Sequence, residues 1–331
     1  MTFSIIIPAY NAEAFIETTL QSVYNQTFSD YEIVVVNDGS TDNTAEVLAC
    51  QTDPRLRVIH QENSGVSVAR NKAISEARGK YVAFLDADDV WTQDHLALAY
   101  QFFSLHPEFV WYCSAFTGAA DITDEMLNDV PPREGLCFES RNWVLEIAET
   151  LACANVVLLR SAICEEHLFP EDVKMCEDTI AFMKIANRHP MIGFLDSRTM
   201  WYRQCGNSAC DKYWRSNDRL AMESLYISHF QNIATQKECK KEVRLYAVRA
   251  SLFTWWKRIR SMSMLPWAEE MRQRKPIHGT CLTAWLVFCA YLSDIFCKAV
   301  GKLVRLRYNA IDKEIKREAM RQRQKLSRIG S

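Results

Sequence analysis

An α/β fold with a mostly parallel sheet flanked by helices is what this sequence predicts, and three observations predict it. Apolar, β-rich runs alternate with stretches of helical periodicity through residues 1–90. The runs end in polar, turn-rich junctions, as strand ends at the ligand edge of an open sheet do. One of them, Tyr81-Val-Ala-Phe-Leu-Asp-Ala-Asp-Asp89, goes from uncharged residues straight into three carboxylates.

Taken in order, Phe3 to Ile7 is an apolar run stopped by Pro8 and suits a buried first strand. Asn11 is expected to cap a helix with Phe15, Ile16, Leu20 and Val23 on its apolar face. Tyr31 to Val36 reads as the second strand, followed by the turn Asn37-Asp38-Gly39-Ser40-Thr41-Asp42 and a helix over Asn43 to Cys50. A carboxylate, a glycine and hydroxyls beside a helix N-terminus suit a nucleotide, although an ordinary capped loop would look the same. Leu56 to Ile59 is a third strand; a helix starting at Ser64-Gly65 then carries Val66, Ala69, Ala73 and Ala77 on one face, with Arg70 and Asn71 near its start.

The fourth strand ends in Asp86, Asp88 and Asp89. Asp86 and Asp88 stand at i and i+2, the spacing that projects two side chains to one side of an extended or turning backbone. Hard oxygen ligands of this kind suit Mg²⁺ or Mn²⁺, which commonly bridge protein carboxylates and phosphates. Capping of the next helix ahead of Val90 and Trp91 would account for the same acids.

Beyond Ser114 the pattern loosens. Phe116 to Leu136 is expected to be a loop over the site, and Cys153 to Leu159 a core strand carrying Asn155, whose amide is as readily structural as substrate-binding. Glu177-Asp178 precedes a helix over Thr179 to Ala186, where two acids by themselves are an N-terminal cap.

Composition bounds the class. The 331 residues are 48% hydrophobic and 24% charged, which is the make-up of a folded protein with room for one large or two modest domains. Twelve cysteines lack any Cys-x-x-Cys or zinc-like spacing, several lie in apolar runs (Cys113, Cys153, Cys289), and they are expected to be buried thiols in a reducing compartment. The first strand begins by Phe3 without a preceding signal peptide, so the catalytic part is expected in the cytoplasm. Net charge is −2 overall, yet the stretch from Lys298 onward is +8, leaving about −10 on the remainder. No nucleic-acid-binding fold accompanies that basic tail, and nucleic acid is not an expected partner.

Five blocks occur in fixed order: Ser4-Ile-Ile-Ile-Pro-Ala-Tyr-Asn11, Ser22 to Thr27, Val36-Asn-Asp-Gly-Ser-Thr-Asp42, Glu62 to Asn71 and Phe84-Leu-Asp-Ala-Asp-Asp89. Together they resemble the nucleotide-sugar-binding half of the family 2 glycosyltransferases, which have the GT-A fold, a Rossmann-like, mostly parallel sheet flanked by helices. The resemblance implies that Pro8, Ala9 and Tyr10 line the base and ribose pocket and that Asp38 reads the base. It implies further that Arg70 lies near the base or diphosphate, Asp86 near the ribose, and Asp88 on a Mn²⁺ or Mg²⁺ ion. Glu177 is implied beside the substrate, Asp178 as catalytic base and Arg203, in Trp201-Tyr-Arg203, as a diphosphate contact. Asn37 replaces the first acid of a common Asp-Asp-Gly-Ser version, and Cys176 stands where the family frequently has glycine. No histidine lies between His189 and His229, where many such enzymes offer one to the metal, so water and phosphate complete the shell or metal dependence is weaker. The Gln-x-x-Arg-Trp motif of processive synthases is absent, which favours one sugar per encounter.

The chemistry wants these groups. An acceptor hydroxyl needs a base, and a departing nucleoside diphosphate needs its negative charge offset. One base opposite one leaving group implies inversion, since a double displacement would also require a nucleophilic carboxylate. The expected donor is a nucleotide sugar, UDP-linked by preference, and the expected acceptor a glycan or lipid-linked hydroxyl in bacterial surface-polysaccharide synthesis. A catalytically silent scaffold with the same fold is the rival reading, opposed by the joint presence of Asp38, Asp86, Asp88 and Asp178. A nucleotidyltransferase would want a glycine-rich phosphate loop that Pro8-Ala9-Tyr10 does not supply.

The expected organisation is a catalytic domain over residues 1–215 and a helical extension over 216–331. Within the extension, Leu245, Val248, Leu252, Trp255, Ile259 and Met262 form one amphipathic stripe, while Cys281 to Cys297 is apolar but shorter than a membrane span. The basic tail follows. An anionic membrane surface, at the inner face of the cell membrane, is the expected partner of these helices. Packing on the catalytic core or in a homo-oligomer is the alternative.

Overall fold

The computed structural model describes residues 1–129, 138–143, 153–163 and 167–204, short pieces between 228 and 246, and 302–321 apart from 304. The chain forms two compact units, Met1–His229 and Phe230–Ser331.

The first unit opens as an alternating series: β1 (Phe3–Ala9), α1 (Ile16–Tyr24), β2 (Tyr31–Asp38), α2 (Thr44–Ala49), β3 (Leu56–Gln61), α3 (Val66–Glu76) and β4 (Tyr81–Phe84). β2 and β4 are buried at every residue, and β1 at all but one, which is why they read as continuous apolar runs. β5 (Val90–Trp91), α4 (His95–Leu105), β6 (Trp111–Ala119), α5 (Asp124–Leu127), β7 (Phe138–Asn142), β8 (Val156–Leu159), α6 (Glu177–Arg188) and β9 (Met191–Arg203) complete it.

Among the described residues the sheet has nine strands in the order β3-β2-β1-β4-β8-β6-β9-β5, with β7 on β9. β3, β2, β1 and β4 are parallel to their neighbours, so their C-terminal ends share one edge. β8 reverses the direction by pairing antiparallel with both β4 and β6, and β9 then runs parallel to β6.

Several expectations change here. Asn11 does not cap α1: it sits at φ 50°, its side chain accepts the Thr41 N–H at 2.8 Å, and α1 starts only at Ile16. The expected strand over Cys153 to Leu159 is a 3₁₀ turn as far as Asn155 and a strand only from Val156. Phe116 to Ala119, expected to be loop, extends β6, because β9 is long enough to pair with it as far as Ala119 opposite Arg203. Asp88 and Asp89 do not cap a helix either, since Val90–Trp91 forms a short strand against β9. The stripe from Leu245 to Met262 and the apolar run Cys281 to Cys297 lie largely or wholly outside the described residues.

One face of the sheet packs Phe3, Ile5, Ile7, Ile33 and Val35 against Ile16, Leu20 and Val23 of α1. An aromatic group, Phe84, Phe169, Phe182, Trp111 and Trp143, is buried as a second cluster of ring contacts. Asn155 is fully enclosed and its Nδ2 donates to the Ser114 carbonyl, so this amide ties the 3₁₀ turn to β6.

Gly39, just past β2, adopts φ +68°, and a Cβ there would lie 2.5 Å from the Asn63 backbone nitrogen. Gly39→Ala is expected to cost about 1–3 kcal/mol, read as a lower midpoint in urea denaturation; an unchanged midpoint would mean that the turn relaxes freely.

Candidate active site

The shared edge of the parallel strands gathers most of the residues singled out above. Pro8 and Ala9 end β1 opposite Val36 and Asn37 of β2, and Tyr10 follows with half its surface open. Asp38, buried at the end of β2, accepts from Gln61 Nε2 at 2.7 Å and from the backbone N–H groups of Ser64 and Gly65 at 2.9 and 2.8 Å. Its carboxylate therefore holds the turn that launches α3, where Gly65 takes φ +95°. Asn37 is turned to His60 and to the Ser40 N–H.

Beyond β4 the acids lie in a turn closed by the Asp89 N–H on the Asp86 carbonyl. Thr19 Oγ1 reaches the carbonyls of Ala87 and Asp89, both at 2.9 Å, and so ties the turn to α1. From the far side Arg203, at the end of β9, donates its N–H to Asp89 Oδ1 and its Nε to the Asp88 carbonyl, each at 2.9 Å. Its guanidinium lies over the Phe15 ring.

Arg70 bridges the acid turn and α6. It is nearly fully buried, and its two terminal nitrogens reach Asp86 Oδ1 at 2.6 Å and Glu177 Oε1 at 2.7 Å, with Phe169 under its guanidinium. α6 thus starts beside the acid turn. Cys176, where the resemblance leads one to expect glycine, takes the left-handed φ of 58° that glycine adopts easily, so the backbone entering Glu177-Asp178 has a glycine-like shape. Asp178 Oδ1 accepts the Thr179 N–H at 2.6 Å.

Burial raises the proton affinity of four of these carboxyl groups, Asp88, Asp89, Glu177 and Asp178. Asp88 is pushed up to about 6, first by desolvation and then by the neighbouring Asp86 charge. Asp89 is driven far above the usual carboxylate range by burial and by Asp86 and Asp88. Glu177 and Asp178 are raised by burial as well, against the opposing pull of Arg70. Five carboxyl groups share two guanidinium groups here, and Asp88 is in no ion pair among the described residues.

That imbalance fits a divalent cation, whose charge would relieve the Asp86–Asp88 repulsion. Asp88 is the group with a carboxylate to give, Asp86 being engaged by Arg70. Among the described residues no group of three or more His, Cys, Asp or Glu side chains is arranged to hold a metal ion.

Sequence reasoning passed over Thr19, Gln61 and the role of Asn71, since each acts through a contact made far along the chain. Asn71 had a signal, its place next to Arg70 in a five-block pattern, but its partner lies near residue 169.

An open α/β sheet of this strand order, with acids after the fourth strand, has the arrangement of a GT-A-type fold. Residues 4–164 match the family model Glycosyl transferase family 2. The chain is 30% identical over 268 residues to the uncharacterized glycosyltransferase EpsJ of Bacillus subtilis, covering 75% of each. It is 46% identical over 102 residues to the putative teichuronic acid biosynthesis glycosyltransferase TuaG of the same organism, covering 30% of this chain and 40% of TuaG. The chain spans about a third of the length of an uncharacterized glycosyltransferase of Rickettsia felis, to which it is 31% identical over 207 residues, 62% of this chain and 33% of that one. Among solved structures, residues 1–349 of Staphylococcus aureus TarS in complex with UDP-GlcNAc superpose with a TM-score of 0.63 at 20% identity, covering 97% and 92% of the two chains. The Pyrobaculum calidifontis mannosyltransferase PcManGT, in complex with GDP-Man and Mn²⁺, gives 0.55 at 19% identity over 95% and 86%. At those identities the likeness is one of fold. The chain belongs to glycosyltransferase family 2.

Because the folded-state proton affinity of Asp88 lies above its unfolded value, its ionisation opposes folding, and stability falls as pH rises through about 6. Asp88→Asn is therefore expected to raise the melting temperature at pH 7.5 in the presence of a chelator, with the gain fading toward pH 4. A gain that stays constant across that range would show that charge is not its source.

Proposed function

We propose that this glycosyltransferase is inverting and non-processive, moving one sugar from a nucleotide-sugar donor, UDP-linked by preference, to a hydroxyl of a glycan or lipid-linked acceptor. The observation that carries this reading is the position of Asp178 at the start of α6, joined through Glu177 and Arg70 to the turn bearing Asp86 and Asp88. Similarity to TuaG, and the nucleotide sugars in the TarS and PcManGT complexes, support a donor of this class and a role in cell-surface polysaccharide synthesis.

In this reading Pro8, Ala9, Tyr10 and Asp38 border the base and ribose, with Asp86 near the ribose. Burial raises the proton affinity of Asp178, which suits it to take the acceptor proton as the hydroxyl attacks the anomeric carbon. Arg203 steadies the Asp88–Asp89 turn through its backbone and Nε, and its remaining nitrogens are available to the diphosphate. A Mn²⁺ or Mg²⁺ ion held by Asp88 would offset charge on the departing diphosphate. With a single carboxylate acting as base the displacement is direct, so the anomeric configuration inverts.

A panel of nucleoside diphosphates and nucleotide sugars, with and without Mn²⁺, tests the proposal by thermal shift and donor turnover. The expected result is a metal-dependent shift with one nucleotide, lost in Asp88→Ala. In Asp178→Asn the shift is kept while turnover falls by roughly 100-fold or more. No shift with any nucleotide would favour the silent-scaffold reading.

A cytoplasmic position, peripheral on the inner face of the membrane, is part of the proposal. Among the described residues no helix is long and apolar enough to cross a membrane. The helix over 305–321 buries Ile311, Ile315 and Ala319, and its opposite side exposes Leu306, Lys313, Arg317 and Met320. Apolar residues among cations suit an anionic lipid surface, and the like charges of Lys313 and Arg317 oppose self-association through the same side. In a flotation assay the protein is expected to bind vesicles containing anionic lipid and to ignore purely zwitterionic ones. Lys313→Glu with Arg317→Glu should abolish the binding; retention by the double variant would remove this helix from the reading.

A further inference from the structure

Two adjacent residues of α3 reach out of the first half of the unit to the segment that leads into Asp178. Arg70 grips Glu177 at 2.7 Å while its other arm holds Asp86. Asn71 makes a reciprocal pair with the backbone of Phe169: its Nδ2 donates to the Phe169 carbonyl at 2.8 Å and its Oδ1 accepts the Phe169 N–H at 3.0 Å. The same Nδ2 lies 3.0 Å from Glu171 Oε1. Phe169 in turn puts its ring under the Arg70 guanidinium and against Phe84 of β4 and Phe182 of α6. Both Arg70 and Asn71 are buried.

We infer that Arg70 and Asn71 form a dock that sets the position of Asp178, with Glu177 and Phe169 as its counterparts, so that Glu177 and Asn71 are positioning residues for the transfer reaction. The inference rests on the reading of Asp178 as base. Two separate grips hold one segment at both ends. Asn71 fixes the entry at Phe169 through paired backbone hydrogen bonds, which define height and orientation together. Arg70 fixes the exit at Glu177, immediately before Asp178. Between them the chain makes the left-handed turn at Cys176. The fork geometry of a guanidinium, with two arms on two carboxylates, defines direction as well as distance. Because the second arm of Arg70 ends on Asp86, the base and the donor edge take their positions from one side chain. A displacement of about 1 Å at a reacting group is enough to lower a rate by about 100-fold.

The dock predicts a division of effects that general loosening of the fold would not produce. Asn71→Ala and Glu177→Ala are expected to lower kcat for sugar transfer by about 10- to 100-fold while the affinity for the nucleoside diphosphate stays within about 3-fold. Glu177→Gln, which keeps an acceptor for Arg70, should recover most of the rate lost in Glu177→Ala. Should Glu177→Ala fail to fold, Asn71→Ala and Glu177→Gln carry the comparison. The dock is overturned if Asn71→Ala transfers sugar at the wild-type rate, or if it loses nucleotide affinity and rate in parallel. It is also overturned if Glu177→Gln is as impaired as a folded Glu177→Ala. Asp178→Asn is run alongside: full activity there refutes the base assignment itself, whereas an inactive Asp178→Asn with an unimpaired Asn71→Ala refutes only the dock.

Discussion

The guanidinium of Arg70 lies buried between Asp86 and Glu177, and the arrangement of the acid cluster follows from that enclosure. A charge taken out of water must be paired or it destabilises the fold by several kcal/mol, so burying Arg70 obliges two carboxylates to come to it. One is supplied by the turn after β4 and the other by the first residue of α6, which are 91 positions apart in sequence. Satisfying one side chain thus brings the acid turn and the Glu177-Asp178 pair together.

The acids that Arg70 does not neutralise give the site its electrostatic character. Asp88 and Asp89 are crowded against Asp86 with little water, and their proton affinities rise accordingly. Enclosure and the neighbouring Asp86 and Asp88 charges raise the proton affinity of Asp89, whose Oδ1 anchors the Arg203 N–H. Asp88 is in no ion pair among the described residues, although the Arg203 and Arg70 charges lie close enough to lower its proton affinity against the larger effect of desolvation. The turn is clamped on two sides, by Thr19 from α1 and by Arg203 from β9, so these repulsions are held in place instead of being relieved by movement.

The second half of the unit supplies that clamp through strand direction. β8 runs antiparallel to β4 and β6, and this reversal lets β9, parallel to β6, finish at the acid turn with Arg203. The buried polar chain of His95, Thr199 and Ser114, linked at 2.7 and 2.6 Å, fastens α4, β9 and β6 together, with His95 kept neutral by burial that lowers it to about 3.

The sequence by itself determined the alternating α/β order, the places where strands end in acid, and the family, because buried parallel strands and turn chemistry are written in neighbouring residues. The contiguous block Val66 to Asn71 could be seen as a helix start, and Phe84 to Asp89 as an acid-tipped strand. Only the tertiary structure decided that Asn11 braces a loop instead of capping α1, that β6 extends past Phe116, and that Cys153 to Asn155 turns before β8. It alone joined Arg70 to Glu177 and Asn71 to Phe169. Each of these outcomes depends on a partner tens of residues away. Local periodicity carries no information about such pairs, whereas the requirement to pair every buried polar group selects them once the chain is packed.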